Sequence, residues 1–244
     1  MTQKSDIRGE KLPPAGTISE SVQDYLKAIY KLSNSPEAEK SGDAAVTTSL
    51  LAERMRVSAA SATNMIKKLA EMNLLRHRPY QGVRLTGAGE KMALEIIRHH
   101  RLLELYLAQA LGYGWDRVDA EAERLEHAIS EDFEDHIDRA MGYPTVGAHG
   151  EPIPSKEGTI AVHRYQRLSE IESGQVVCIS QVSDRSPELL RYLDEQELRL
   201  GTELEVRDKA PFSGSMLIAV GEREHHIGLE VADQIFVAQV DGAG

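Results

Sequence analysis

His100-Arg-Leu-Leu-Glu104 and Glu123-Arg-Leu-Glu126-His127 bracket the stretch on which the reading of this chain turns. Positions three and four apart on a helix share a face, so His100 projects with Glu104, and Glu123 with Glu126 and His127. Met92, Ile96, Leu103, Leu107 and Leu111 recur at helical spacing, and Gly112 and Gly114 follow as terminators, which predicts a long helix over about 90–111. Leu125, Ile129, Phe133 and Ile137 predict a second helix over 118–141. Packed antiparallel, the two would gather imidazoles and carboxylates into a donor set for a divalent cation. The segment 116–139 is also rich in Asp and Glu, so the same residues fit a solvated acidic surface, and the flanking chain has to decide.

Upstream, residues 17–32 read as a helix with Val22, Tyr25, Leu26, Ile29 and Leu32 on one stripe, Ser19 or Ser21 as its cap and Asp24 on another face. Residues 33–45 read as a loop. A short helix over 46–55 carries Leu50, Leu51 and Met55, opened by Thr47 or Thr48, and a tight turn at 56–58 leads to a second helix over 58–72. That helix turns Ala62, Met65, Ile66 and Leu69 inward and presents Ser58, Ala60, Ser61, Thr63, Asn64 and Lys67 outward. Small outward residues let a helix enter the major groove, and an asparagine pairs bidentately with adenine. Two short alternating segments, 74–78 and 83–86, joined at Pro79-Tyr80-Gln81-Gly82, add a β-wing whose Arg76, Arg78, Tyr80 and Arg84 suit phosphate contacts.

The net charge of −11 over 244 residues opposes indiscriminate nucleic-acid binding, yet between 54 and 84 seven Lys and Arg face Glu71 alone. One basic module on an acidic chain implies a directed contact with phosphate. Tyr143 to Pro154 is turn-rich and reads as a linker. From about 165 come short apolar segments at 175–180, 203–206, 216–220 and 235–240, with a helix at 187–198, which fit a small β-barrel. No apolar run reaches the roughly 20 residues of a membrane span, and the N-terminus lacks a secretory core, so a cytoplasmic protein with no membrane partner is expected. The lone Cys178 excludes an internal disulfide and a cysteine-rich zinc site.

The ordered motifs resemble the DtxR/MntR family of metal-dependent transcriptional repressors in its three-domain form, from Glu20 to Val240. The resemblance is carried by Asp24-Tyr-Leu-Lys-Ala-Ile-Tyr, the helix-turn-helix at 47–72, Thr86-Gly-Ala-Gly, His100-Arg-Leu-Leu-Glu104, Glu123-Arg-Leu-Glu126-His127 and His149-Gly-Glu-Pro-Ile-Pro154. It implies a disordered tail (1–16), a winged helix-turn-helix DNA-binding domain (17–90), a helical metal-binding and dimerisation domain (91–145), a linker (146–164) and an SH3-like, FeoA-type barrel (165–244). The fold class is therefore mainly α with a small β domain. The metal ligands it implies are Asp24, Glu123, Glu126 and His127 at the primary site, with His100 and Glu104 beside it. Asp119 stands where iron-type members have a histidine, and Lys27 where manganese-type members have a glutamate. Asp184 or Glu188 would be further oxygen ligands from the barrel.

Iron-type members place methionine and cysteine where this chain has Asp24 and Glu123. Hard oxygen donors with imidazole suit manganese(II) over iron(II), the alternative. The expected partners are palindromic double-stranded operator DNA, contacted through Ser58, Ala60, Ser61, Asn64, Lys67, Arg78, Tyr80 and Arg84, and a second copy of the chain. No small organic substrate is expected. A hydrolytic metalloenzyme would use the same cluster to activate water, but no nucleophile constellation or phosphate-binding glycine loop accompanies it. A winged-helix regulator responding to a small molecule is a second rival, distinguished by metal-independent DNA binding.

Overall fold

The structure is a computed structural model describing residues 18–35, 38, 45–78, 81–162, 165–184, 186–210 and 214–240. The expected tail at 1–16, most of the loop at 33–45, and Tyr80 lie outside these residues. The chain divides into two compact units: one up to Arg98 with Pro154–Thr159, the other His99–Ile153 with Ile160 onward. Among the described residues, no helix is long and apolar enough to cross a membrane.

The first unit holds α1 (Glu20–Ser33), α2 (Thr48–Arg54) and α3 (Ala59–Glu71). The Thr47 hydroxyl caps α2 by accepting from Leu50 N at 3.2 Å, and Ser58 caps α3 by accepting from Ser61 N at 3.1 Å. Val22, Leu26 and Ile29 from α1, Leu51 from α2, and Ala62, Ile66 and Leu69 from α3 share one core. Of the apolar residues this helix carries, Leu50 is exposed, because the short α2 turns Leu51 and Ala52 to the core. The wing is an antiparallel hairpin of β1 (Leu75–Arg78) and β2 (Gly82–Leu85), pairing Arg76 with Arg84. The Thr86 hydroxyl donates to Asn73 O and accepts from Gly89 N, opening α4 (Gly87–Gln109). A Cβ at Gly89 would stand 1.9 Å from Leu74 O, so only glycine fits where α4 starts against the hairpin.

The second unit takes α4 from His99 onward, then α5 (Val118–Leu125) and α6 (Glu131–Ala140). The single helix expected over 118–141 is thus two. Glu126 is the C-cap of α5, and the Ser130 hydroxyl restarts the chain by accepting from Phe133 N at 3.2 Å. A serine that bonds its own backbone offers an alternative to the helix ladder, and here that alternative wins. Leu111, beyond the end of α4, is 55 % exposed, and Leu125 and Phe133 are also exposed. Residues 143–153 form a packed strap: Val146 pairs with Pro152, and His149 and Glu151 are buried. Gly150 lies at φ +89°, where a Cβ would meet Ser180 O at 2.2 Å, and Val182 N donates to His149 O.

The remaining chain forms six antiparallel strands: β3 (Gln166–Arg167), β4 (Val176–Val182), β5 (Glu203–Lys209), β6 (Ser215–Val220), β7 (Arg223–Gly228) and β8 (Ile235–Gln239). Their order is β3-β8-β4-β5-β6-β7, with α7 (Pro187–Glu195) between β4 and β5 and the short α8 (Leu229–Ala232) between β7 and β8. Leu168, Val177, Leu193, Val206, Ile218, Ile227 and Val237 belong to one core, so the sheet rolls around it. Strands β3 and β7 were not legible in the sequence. One is two residues long, and the other is an edge strand that buries only Ile227. The architecture is mainly α with a small, FeoA-type β domain, as expected.

Candidate metal centre

α4 projects His100 and Glu104 one turn apart, and α5 contributes Asp119 and Glu123. Glu126 at the helix end and His127 just beyond it complete the group. The His100 ring is its hub. Its Nδ1 lies 2.5 Å from Glu126 Oε2 and 3.7 Å from Glu123 Oε2, and its Nε2 lies 3.3 Å from Asp119 Oδ1 and 3.5 Å from Glu104 Oε1. His127 Nε2 stands 3.5 Å from Glu126 Oε1. His100, Glu104 and Glu126 are each at most 2 % exposed. Burial alone would lower the His100 pKa, but hydrogen bonds with the carboxylates of Asp119, Glu104 and Glu126 outweigh it and push it up to about 10.

The ring therefore divides two donor groups. His100, Glu123 and Glu126 offer atoms within 4.8 Å of one another, as do His100, Glu104 and Asp119. These residues fit a divalent cation. The donors are carboxylate and imidazole, and the buried Glu104 Oε1 is met only by ring nitrogens at long range, His100 Nε2 at 3.5 Å and His149 Nδ1 at 3.6 Å, which a cation would replace. Asp119, whose role the sequence left open, belongs to the cluster. Asp24 sits half-buried on α1 of the first unit, with Lys27 buried on the same helix. Glu188 points elsewhere: its side chain is 77 % exposed, 3.3 Å from Arg191 Nη2.

The sequence missed two contributors on the strap. His149 is fully buried and stacked on Trp115 with ring centroids 5.5 Å apart. Its Nε2 is 3.1 Å from Trp115 O. A carbonyl only accepts, so Nε2 carries a hydrogen, and Nδ1 stands 3.6 Å from Glu104 Oε1. Glu151 is held up at about 7 by burial and by the negative charges of Asp184 and Glu104. The one available signal was the His149-Gly-Glu-Pro-Ile-Pro154 stretch, whose turn-forming composition masked its buried side chains.

In the first unit, Ser58, Ala60, Ser61, Asn64 and Lys67 are exposed along α3 from its cap onward, and Arg78 and Arg84 are exposed on the wing. Ser58 Oγ and Ser61 Oγ lie 2.9 Å apart, which leaves Asn64 one turn further on as the longer amide of this face.

Three family descriptions tile the chain: an iron dependent repressor N-terminal DNA binding domain over 17–83, an iron dependent repressor metal binding and dimerisation domain over 86–155, and a FeoA domain over 166–239. A solved manganese-dependent transcriptional repressor in complex with manganese is 35 % identical. It superposes with a TM-score of 0.79 over 90 % of this chain and 100 % of that one. This chain belongs to the DtxR/MntR family of metal-dependent transcriptional repressors. Within the family, the iron-dependent repressor IdeR of Mycobacterium leprae is 32 % identical over 162 residues, 64 % of this chain and 67 % of that one. The regulator MntR of Shouchella clausii is 32 % identical over 123 residues, 50 % of this chain and 80 % of that one. The family's modules make DNA and a second copy of the chain its partners, and its members are repressors rather than enzymes.

Proposed function

We propose that this repressor takes manganese(II) as co-repressor and then binds a palindromic operator as a dimer, controlling metal-ion transport genes. The observation that carries the metal assignment is the donor set itself. His100, Glu104, Glu123, Glu126 and His127, with Asp24 added by the family resemblance, offer four carboxylates and two imidazoles and no sulfur. Such a set favours a hard cation, whereas raw affinity alone follows the Irving–Williams order toward copper and zinc. Iron(II) is the competing reading, favoured by similarity to the Mycobacterium leprae iron-dependent repressor.

A bound divalent cation supplies the positive charge that these carboxylates lack. In its absence the His100 imidazolium is the counter-charge among Glu104, Asp119, Glu123 and Glu126. Asp24 precedes the DNA-binding helices, and the other ligands lie on the dimerisation helices. Drawing Asp24 to the same ion would fix the spacing of the two recognition helices near one DNA turn, about 34 Å. Less ordering is then left for operator binding, and a coupling of about 1–3 kcal/mol would alter operator affinity some 5- to 150-fold. The exposed Leu111, Leu125 and Phe133 supply apolar surface for the dimer.

Calorimetric titration of metal-free protein with Mn²⁺ and, anaerobically, Fe²⁺, followed by operator binding in each loaded state, tests this reading. Tight Mn²⁺ binding that switches on DNA binding supports it. A response confined to Fe²⁺ replaces it with the iron reading, and DNA binding indifferent to both metals removes it.

A further inference from the structure

His99 precedes His100 on α4, so its side chain is turned about 100° away around the helix, and the proposed function leaves it without a role. It is 7 % exposed. Its Nδ1 lies 3.2 Å from the main-chain oxygen of Glu126, and its Nε2 lies 3.2 Å from Glu134 Oε2. A carbonyl accepts and never donates, so Nδ1 carries a hydrogen, and a carboxylate facing Nε2 is held by a hydrogen there as well. Adjacent histidines of α4 thus grip the same residue from two sides: His99 by its carbonyl, His100 by its carboxylate at 2.5 Å.

The grip falls where the chain most needs it. Glu126 and His127 lie in the break between α5, ending at Leu125, and α6, starting at Glu131. Glu126 still donates to Ala122 O as the C-cap of α5, but past it the i→i−4 ladder stops, with Ala128 N turning to Leu125 O, so the main chain leaving Glu126 has lost its helical support. Glu134, 4 % exposed on α6, holds the far side of the same ring. One imidazole therefore joins α4, the break and α6.

We propose that His99 is a positioning residue of the cation site, fixing the main chain at Glu126 so that the Glu126 carboxylate and His127 imidazole point at a common ion. This rests on Glu126 being a ligand. It adds that ligand geometry at the end of α5 is set by a neighbouring histidine as well as by the helix. Groups that orient ligands in this way typically contribute about 10–100-fold in metal affinity.

The test titrates Mn²⁺ into wild type, His99→Leu, His99→Asn, His99→Gln and Glu126→Ala, with amide hydrogen exchange at 127–130 measured on each metal-free protein. An asparagine amide sits where Nδ1 does and keeps the bond to Glu126 O. A glutamine amide reaches the Nε2 position and keeps only Glu134. His99→Leu is expected to bind Mn²⁺ about 10–100-fold more weakly. Asn should restore most of that and Gln little, and exchange at 127–130 should quicken in Leu and Gln but not in Asn. Wild-type affinity in His99→Leu, or equal behaviour of Asn and Gln, overturns the proposal. Should the Leu variant fail to fold, the Asn–Gln comparison alone decides. Wild-type Mn²⁺ binding by Glu126→Ala overturns the ligand assignment instead, and the exchange data then report on positioning separately.

Discussion

Raising the pH from 7 to 8 should strengthen Mn²⁺ binding about tenfold, because His100 must lose a proton before it can donate to a cation. Its pKa is pushed up to about 10, from an ordinary value of 6.5, by hydrogen bonds with Asp119, Glu104 and Glu126 that outweigh the lowering effect of burial. At pH 7, well below that value, the metal-free protein carries the imidazolium. Both ring nitrogens of an imidazolium hold hydrogens, so ligation by either releases about one proton. The logarithm of apparent affinity then rises by about one per pH unit until the pH nears 10. Stability of the metal-free protein runs the other way. A histidine raised in the folded state contributes stability that is fully present below about 6.5 and is lost as the pH rises through about 10, so the metal-free melting temperature should fall over that window. Titrations in two buffers of different ionisation enthalpy read the released proton directly. No buffer dependence and equal affinity at pH 7 and 8 would refute the arrangement of His100 among four carboxylates as the binding geometry.

Glu126→Ala and His127→Ala should each abolish metal-stimulated operator binding while the protein remains dimeric by ultracentrifugation, and an unchanged metal response in either would remove it from the ligand set. Asn64→Ala should weaken operator binding by about 1–3 kcal/mol and random DNA far less, as loss of a base contact does; equal losses on both would make Asn64 a phosphate contact. Gly150→Ala should destabilise the second unit by more than about 1 kcal/mol, since φ is +89° and the added methyl meets Ser180 O at 2.2 Å. Denaturant unfolding checks this, and a wild-type midpoint would show that the strap yields freely.

By itself the sequence determined what depends on neighbours along the chain. Helical spacing exposed the cores of α1 and α3, Thr47 and Ser58 marked the starts of α2 and α3, the alternation around Pro79 to Gly82 gave the wing, and the spacing of His100 with Glu104 put two donors on one face. The interruption at Ser130, the approach of Asp119 to His100, the double grip on Glu126 and the burial of His149 and Glu151 were decided by tertiary structure. The physical reason is range. A periodicity argument assumes that the helix continues and sees only residues three or four apart, whereas His100 and Glu126 meet across 26 positions and His149 and Glu104 across 45. A buried carboxylate or imidazole in irregular chain leaves no periodic trace, because burial there is set by the elements packed over it and not by its neighbours in sequence.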